Sequence, residues 1–434
     1  MKQTEGSGSY SSSFFKNTLK KIVFGSIEEK DLHKILIARG LMSASRALAG
    51  VLVPVYFVLL GFRATSLGAL FMGIAFAAVA LSFSVGVLSD ASGPKPFLIM
   101  FPLMVTLASV VFAFTTNKLA LIVVAMVASY GRGAGAGVGQ IGPYQPAESS
   151  LVVSAVSAKE RNNAFSRVTM FSTFGALVGS LLALASRSNP GSRSFVMDEF
   201  RFSMLIIGTL SLFAALVVFP ITNHKREVQS QSLLGSPLPQ SAKALVLRLW
   251  ATNTLNGLSV GLYGPFITYW FYIRYGVSTA TIGVLYSGVN IAALSSGLIA
   301  PKLAKRYGLI RATVLLRVAQ ALMLIPWAIS PTFVLAGVFY TARMIFQRAS
   351  FPLRQSYAIG LAPEGSKARV SSISNIPSQV AMAVSPVAAG VIYDSVSLEL
   401  PFFLGAVLQL ASSYLYYIFF KDRPPVEEQS EDPL

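Results

Sequence analysis

The sequence predicts an all-α integral membrane protein with 12 transmembrane helices in two pseudo-symmetric six-helix bundles. Three observations predict this fold class: few charged residues, long apolar segments, and a repeat that relates the two halves of the chain. Only 12% of the residues are charged and 53% are hydrophobic, whereas a soluble globular chain carries roughly 25% charged residues. Residence in a membrane is therefore the first interpretation.

The apolar segments are long enough to cross a membrane, since about 20 mainly apolar residues span a hydrocarbon core of ~30 Å. They are also too long, and too poor in alternation, to be strands. Eight segments are free of charge: 66–88, 97–116, 168–186, 202–221, 249–273, 279–300, 370–393 and 400–420. Four more contain an internal charge: 35–61, 119–141, 312–330 and 332–351.

The positions of Lys and Arg predict the orientation, because cytoplasmic loops carry an excess of both. The loops on the predicted outer side hold few of the 35 such residues: Arg63, Lys118, Arg187, Arg193, Arg201 and Arg274. We therefore expect a multi-pass protein of the plasma or inner cell membrane with both termini in the cytoplasm. The expected parts are an N-terminal segment (1–34), a six-helix bundle (35–221), a central loop (222–243), a second six-helix bundle (244–420) and a tail (421–434).

Composition argues against several other classes of protein. The net charge of +17 does not indicate nucleic-acid binding, because the basic residues form short clusters between apolar segments. Cysteine is absent, and His33 and His224 both fall outside the apolar segments, so we expect no metal site and no cofactor. Without paired carboxylates or a nucleophile–base pair in the membrane, we expect no catalytic residues and no enzyme.

The two halves of the chain match at a constant spacing. Four pairs of like residues are each 211 positions apart: Gly50 and Gly261, Pro54 and Pro265, Gly86 and Gly297, and Arg132 and Arg343. An arginine pair inside apolar segments is difficult to attribute to chance. Parallel repeats of this kind place the substrate site near the middle of the bilayer, between the two halves.

The segment "GVLSDASGPKP" resembles the loop signature of the major facilitator superfamily, through Gly86, Asp90, Gly93 and Lys95. The segment "SYGRGAGAG", which contains Arg132, resembles the fourth-span motif of the same family. The resemblance extends from about residue 30 to residue 422. It implies that the loop signature ties two helices together and helps to set the inward–outward equilibrium. It also implies that spans one, four, seven and ten line a central cavity.

Polar side chains within the spans are the candidates for substrate binding. An arginine at the centre of a span costs roughly 2.5–3.5 kcal/mol, so it is expected to face water or a partner. The predicted substrate-binding residues are Arg46, Arg132, Arg343, Asn253, Asn256, Tyr263, Asn290 and Gln347. Two alternatives stay open: Arg132 pairs with a structural partner such as Asp90, and the asparagines only join neighbouring helices.

Acidic residues are scarce near the spans, and Glu148 is the candidate for a proton carrier. The alternative, which we favour from the sequence, is a solvated carboxylate in a loop. Arg39 lies close enough to the predicted inner surface to extend its guanidinium group into water.

These patterns predict a secondary active transporter that moves a small solute by alternating access. Arginine-rich and acid-poor surroundings favour an organic anion, because guanidinium binds carboxylate and phosphate through two parallel hydrogen bonds. One alternative is a proton-coupled antiporter that exports amphipathic compounds, and another is a membrane sensor that binds a solute without moving it. The expected partners are the small-molecule substrate, a coupled proton and the lipid bilayer, but no nucleic acid, and we expect a monomer.

Overall fold

The structure is a computed structural model, and it describes residues 30–131, 142–156, 160–185, 193–221, 240–360 and 367–421. These residues form helices and short connections, with no strand among them. Arg132 and almost all of the central loop 222–243 lie outside the described residues, and so does the side chain of Asp90.

The helices follow one another with few connecting residues. The N-terminal helices are α1 (Lys30–Leu59), α2 (Ala64–Ser92), α3 (Lys95–Phe114), α4 (Lys118–Val127), α5 (Tyr144–Ala155), α6 (Arg161–Leu182) and α7 (Arg193–Val218). The C-terminal helices are α8 (Gln240–Tyr263), α9 (Ile267–Tyr275), α10 (Thr279–Ala293), α11 (Ser296–Tyr307), α12 (Leu309–Leu322), α13 (Leu324–Ile329), α14 (Phe333–Gly360), α15 (Lys367–Ser395) and α16 (Leu400–Phe420).

The predicted membrane spans fall on these helices. Among the described residues, eight helical segments are long and apolar enough to cross a membrane, and α4 and α10 are shorter apolar helices. The chain is therefore a multi-pass membrane protein with an all-helical fold. The number 12 stays a prediction, because several spans are divided and 119–141 runs beyond the described residues.

Local sequence sets several of the helix ends. The side chain of Asn117 accepts hydrogen bonds from the first amides of α4, and Ser278 does the same for α10. Such caps satisfy amides that have no partner within the helix. Gly276 ends α9 with φ +60°, in the left-handed region that glycine adopts without steric cost.

Of the predicted spans that are divided, two concern the candidate site. Helix α8 ends at Tyr263, and the 3-10 turn Gly264–Phe266 separates it from α9, where Pro265 provides no amide donor. Helix α4 ends at Val127, and Ser129 then adopts φ +54°. Interrupted helices in transporters expose backbone groups near the substrate site. These two interruptions lie in spans four and seven, which the family resemblance implies are beside the cavity.

The N-terminal and C-terminal helices each pack mainly among themselves. Helix α1 packs against α6 and α7, and α3 packs against α7. On the C-terminal side, α8 packs against α15 and α16, while α12 packs against α14 and α16. Two further pairs, α2 with α15 and α6 with α10, join the two sets of helices.

The two sets of helices touch at one face of the molecule, where α1 ends and α2 begins. A Cβ atom added to Gly68 would lie 2.2 Å from the carbonyl oxygen of Pro386, and one added to Gly390 would lie 2.4 Å from that of Ala64. Only glycine permits backbones to approach so closely. This face, which carries residues 60–63, 276–278 and 396–399, is called the closed face below.

The same helices have open space farther from the closed face. A Cβ atom added to Gly86 of α2, Gly288 of α10 or Gly297 of α11 would have no described atom within 4 Å apart from the adjacent backbone of its own helix. By contrast, a Cβ atom added to Gly283, which is near the start of α10, would lie 2.4 Å from the carbonyl oxygen of Ser180. The packing of α2 and α10 is therefore tight at the closed face and loose toward the opposite face.

Candidate functional site

A buried arginine with neutral partners lies at the interruption between α8 and α9. Arg343 of α14 is 2% exposed, and its guanidinium carbon lies 4.7 Å from the centroid of the Tyr263 ring. Its Nη2 donates a hydrogen bond to the Tyr263 hydroxyl, and its Nη1 donates to Oε1 of Gln347 at 3.1 Å. Its Nε has no partner. No carboxylate contacts Arg343 in the part of the chain that the structure describes.

Helix geometry and aromatic packing fix this group, which we call the Arg343 cluster (Tyr263, Arg343 and Gln347). Gln347 follows Arg343 by four residues, so both side chains lie on one face of α14. The ring of Tyr263 stacks on Phe402 at 5.7 Å and meets Trp327 edge-on at 6.2 Å. These rings hold the Tyr263 hydroxyl against the guanidinium group, so the cluster is preorganised.

Arg46 occupies the corresponding interruption on the N-terminal side. It is half-buried in α1, and its Nη1 donates a hydrogen bond of 2.9 Å to the carbonyl oxygen of Ala128, the first residue after α4. A cation at a helix C-terminus is favourable, because the last carbonyl groups have no partner within the helix. Arg132, its predicted neighbour in the site, lies outside the described residues.

The predicted asparagines join neighbouring helices. Nδ2 of Asn253 donates to the carbonyl oxygen of Ser374 at 2.8 Å, which connects α8 to α15. Oδ1 of Asn256 accepts a hydrogen bond from Gln409 of α16 at 3.1 Å.

Asn290 of α10 accepts a hydrogen bond from Nη2 of Arg348 at 2.8 Å, and its own Nδ2 has no partner. Of the asparagines, Asn290 thus retains a donor that is not used in helix packing.

The described residues of the loop signature shape the turn between α2 and α3. Gly86 lies within α2, and Gly93 ends the helix with φ +87° while its amide donates to the carbonyl oxygen of Ser89. Nζ of Lys95 lies 5.6 Å from the centroid of the Phe219 ring, just after α7. These described contacts stay among the N-terminal helices.

Glu148 forms a buried ion pair with Arg39. Nη1 of Arg39 in α1 donates to Oε2 of Glu148 in α5 at 2.6 Å, and the two residues are 4% and 2% exposed. The expectations of a solvated Glu148 and of an Arg39 that extends into water are therefore wrong. The reason is α5, which continues the chain beyond the predicted span and packs Glu148 against α1. The sequence did contain a signal for this pair. Arg39 lies inside a predicted span and needs a counter-charge, and Glu148 is one of the few acids near the spans.

The ion pair leaves several buried polar atoms without partners. These are Oε1 of Glu148, Nε of Arg39 and the hydroxyl of Tyr144, one helical turn before Glu148. A buried pair with incomplete hydrogen bonding is sensitive to the loss of either charge, because the remaining charge then has no partner.

This sensitivity gives a prediction for stability. We expect Arg39→Met to destabilise the folded protein by about 3–5 kcal/mol, because it leaves the buried Glu148 carboxylate without a counter-charge. The double variant Arg39→Met/Glu148→Gln is expected to recover most of that loss. Thermal unfolding of the purified protein in detergent measures both. A double variant no more stable than Arg39→Met would contradict the pairing.

A carboxylate also joins the two sets of helices at the closed face. In α15, Oδ1 of Asp394 accepts the Ala64 amide at 3.1 Å, and Oδ2 accepts the amide and the hydroxyl of Thr65 at 2.8 and 2.7 Å. The carboxylate therefore caps the N-terminus of α2, where the helix dipole favours a negative charge. No sequence pattern predicts this contact, because it depends on how α15 packs against α2.

A second contact between the two sets of helices lies deeper. The hydroxyl of Thr268 in α9 donates to the carbonyl oxygen of Gly50 in α1 at 3.1 Å. The Thr268 hydroxyl also lies 2.9 Å from that of Tyr286. Contacts between the sets thus extend from the closed face toward the middle of α1.

Comparison with known proteins identifies the family. The sequence model of the Major Facilitator Superfamily matches residues 35–345 and 249–433. No protein in a search of curated sequences matches this chain.

Several solved structures are similar to this one. The nucleoside transporter NupG is 16% identical, with a TM-score of 0.69 over 91% of this chain and 100% of its own. A bacterial homolog of the human lysosomal transporter Spinster, in an inward-facing and occupied conformation, is 14% identical, with a TM-score of 0.67 over 95% of this chain and 97% of its own. A D-xylose–proton symporter is 12% identical, with a TM-score of 0.68 over 91% and 98%. At these identities the likeness concerns the fold alone.

Proposed function

Because the chain belongs to the Major Facilitator Superfamily, we propose that it is a secondary active transporter that moves a small organic anion by alternating access. The observation that carries the proposal is the Arg343 cluster, in which the partners of a buried guanidinium group among the described residues are all neutral. A charge removed from water without an opposite charge is unfavourable. A carboxylate or phosphate on the solute would supply the missing charge.

The donors of the cluster suit such a solute. Guanidinium presents its N–H groups in a planar fork that matches the two oxygens of a carboxylate or phosphate. Nε of Arg343 has no hydrogen-bond partner among the described residues, and the Tyr263 hydroxyl can donate its own hydrogen to the solute while it accepts one from Arg343. The cluster can therefore form a bidentate contact with an anion without first losing an ion pair.

The uneven packing of the two sets of helices, which is tight at the closed face and loose at the opposite face, supports alternating access. If the orientation predicted from Lys and Arg is adopted, the closed face is extracytoplasmic and the loosely packed face is cytoplasmic. The structure then corresponds to the state that exchanges solute with the cytoplasm. To reach the opposite state, α2 must separate from α15 and α6 from α10, as expected when two repeats rock about a central site.

The Asp394 cap is expected to hold this state. We predict that Asp394→Asn weakens the contact between α2 and α15, because an amide has one acceptor oxygen and no charge to bind the amides of Ala64 and Thr65. Charge-assisted hydrogen bonds contribute about 1.5–3 kcal/mol each, which corresponds to a shift of roughly tenfold or more in the conformational equilibrium.

The absence of cysteine allows a direct measurement of that shift. Spin labels are attached at two exposed positions of the closed face through Ser66→Cys and Val396→Cys. Pulsed electron paramagnetic resonance should show a longer distance between the two spin labels in Asp394→Asn than in the parent protein. Asp31→Asn, which changes an acid near the opposite end of α1, should leave it unchanged. Identical distance distributions in Asp394→Asn and the parent protein would remove Asp394 from the gate.

A second candidate function is proton-coupled export of amphipathic compounds. The specific observation in its favour is Glu148, a buried carboxylate of α5 that forms an ion pair with Arg39 of α1. Protonation of Glu148 would break the pair with Arg39 and so alter the packing of α1, which also carries Arg46. Proton coupling is compatible with an anionic solute as well, so the nature of the solute must be tested separately.

Thermal-shift screening of the purified full-length protein tests the proposed class of solute. The probes are succinate, glycerol 3-phosphate, xylose, uridine and tetraphenylphosphonium. We expect stabilisation by carboxylate or phosphate solutes and its loss in Arg343→Ala, whereas Arg311→Ala, which changes an exposed arginine of α12, should retain it. Stabilisation by tetraphenylphosphonium alone would favour the export of amphipathic cations instead.

A further inference from the structure

A second buried arginine, with no counter-charge among the described residues, lies among the C-terminal helices. Arg317 of α12 is 1% exposed. Its Nη2 donates to the Ser412 hydroxyl, and its guanidinium carbon lies 5.4 Å from the centroid of the Tyr416 ring. Within the part of the chain that the structure describes, its Nε and Nη1 have no hydrogen-bond partner, and neither has the hydroxyl of Tyr416.

Another arginine lies near the same tyrosine ring. Arg354 of α14 is half-buried, and Tyr357, nearly one helical turn after it, has its ring centroid 6.0 Å from that of Tyr416. The aromatic contact of Arg354 is with Phe351, with 5.9 Å from its guanidinium carbon to the ring centroid. Like charges in one region repel each other, and an anion between them would relieve the repulsion.

The described acids of the C-terminal helices are too far away to neutralise these arginines. Within residues 240–360 and 367–421 the structure describes two acidic side chains, Asp394 and Glu399, and both lie at the closed face. Glu399 is also paired with Arg274 at 2.8 Å. Because α12 begins and α14 ends at the opposite face, Arg354 lies in the half of α14 nearer that face. Arg317 is the ninth of the 21 residues in the apolar segment Leu309–Ile329, which is formed by α12 and α13, and so lies just on the same side of its middle.

The solute proposed to bind the Arg343 cluster does not neutralise Arg317 and Arg354. Helix α12 packs against α11, α13, α14 and α16, and α16 packs against α8, α12, α13 and α15. Arg317 is therefore enclosed by C-terminal helices and not at the contact between the two sets of helices. An anion that reached it would come from the surrounding lipid or from the aqueous phase at that face.

We propose that Arg317 and Arg354, with the hydroxyl of Tyr416, bind a phosphate group at this face of the C-terminal helices. The group belongs either to the headgroup of an anionic phospholipid or to free phosphate. Guanidinium forks match phosphate oxygens, and basic clusters at the cytoplasmic membrane surface attract anionic lipids. Two neighbours add to the positive potential: Arg248, whose Nη1 lies 3.5 Å from the carbonyl oxygen of Phe419, and the exposed Lys421.

The experiment uses the full-length protein, purified in detergent and depleted of lipid. Native mass spectrometry and thermal shift measure the binding of phosphatidylglycerol, phosphatidylcholine and inorganic phosphate, with chloride at equal ionic strength as the reference. We expect phosphatidylglycerol or inorganic phosphate to bind and to stabilise the protein, and Arg317→Met to weaken that binding at least tenfold. Arg311→Met, at an exposed arginine of the same helix, should bind as the parent does.

Stability without ligand separates this role from a purely structural one. Replacing a buried and unpaired charge with an apolar side chain should leave the melting temperature unchanged or raise it. Arg354→Met provides a second test at a half-buried position if Arg317→Met fails to fold.

Binding of phosphatidylglycerol alone would assign the site to a lipid headgroup, and binding of inorganic phosphate would assign it to a soluble source. The proposal is overturned if neither probe binds, or if the Arg317 and Arg354 variants bind as tightly as the parent.

Discussion

Arg343→Ala is expected to abolish binding of the transported anion, with a loss of affinity of at least roughly 100-fold, while the protein is still inserted in the membrane. The physical reason is the position of Arg343, which is buried and charged and whose described partners are all neutral. Hydrogen bonds to charged groups contribute about 1.5–3 kcal/mol each, and two such bonds correspond to a factor of about 100 or more in affinity. Equilibrium binding of the anion selected in the thermal-shift screen measures the effect.

Two further variants separate the charge of Arg343 from its shape. Arg343→Lys keeps the positive charge but loses the planar fork, so we expect it to bind more weakly than the parent and more tightly than Arg343→Ala. Tyr263→Phe removes the hydroxyl that Arg343 contacts while it keeps the ring stacked on Phe402, and we expect an intermediate loss. Parent-like affinity in Arg343→Ala would exclude the cluster from the site.

Glu148→Gln, combined with Arg39→Met so that no unpaired charge stays buried, is expected to abolish accumulation driven by a proton gradient while exchange of labelled for unlabelled solute continues. Glutamine keeps the size of the side chain but cannot exchange a proton. Exchange needs only the movement between the two states, whereas accumulation needs the proton to move with the solute or against it. Both activities are measured in proteoliposomes, with and without a pH gradient.

The control for this variant is Glu160→Gln, which changes an exposed acid just before α6. It should retain both activities. If the pH gradient still drives accumulation in Arg39→Met/Glu148→Gln, the proton carrier lies elsewhere. If the gradient has no effect in the parent protein, transport is not coupled to protons.

Much of the fold could be predicted because apolar length is a property of the sequence alone. The predicted span 400–420 has the same limits as α16, and the loop glycine Gly93 does end α2. The interruptions of spans four and seven could not be predicted from the sequence in the same way as the apolar segments. A turn such as Gly264–Phe266 contains glycine and proline, but proline also occurs inside α1, α3 and α14, which continue through it.

The candidate site was predictable only where helical periodicity determines it. The spacing of Arg343 and Gln347 places them on one face of α14, and the structure joins them. The contact between Arg39 and Glu148 spans 109 residues and depends on how α5 packs against α1. The Asp394 cap depends likewise on the contact between α15 and α2. No local pattern encodes contacts between distant helices.

The most direct test of the central claim is solute counterflow in proteoliposomes that contain the purified protein. Vesicles are loaded with an unlabelled carboxylate, phosphate, sugar, nucleoside or lipophilic cation, and entry of the same labelled compound is followed. We predict exchange of at least one carboxylate or phosphate compound by the parent protein and its loss in Arg343→Ala. Exchange confined to sugars, nucleosides or lipophilic cations would contradict the proposed anionic solute, and binding of an anion with no exchange at all would identify a sensor instead of a transporter.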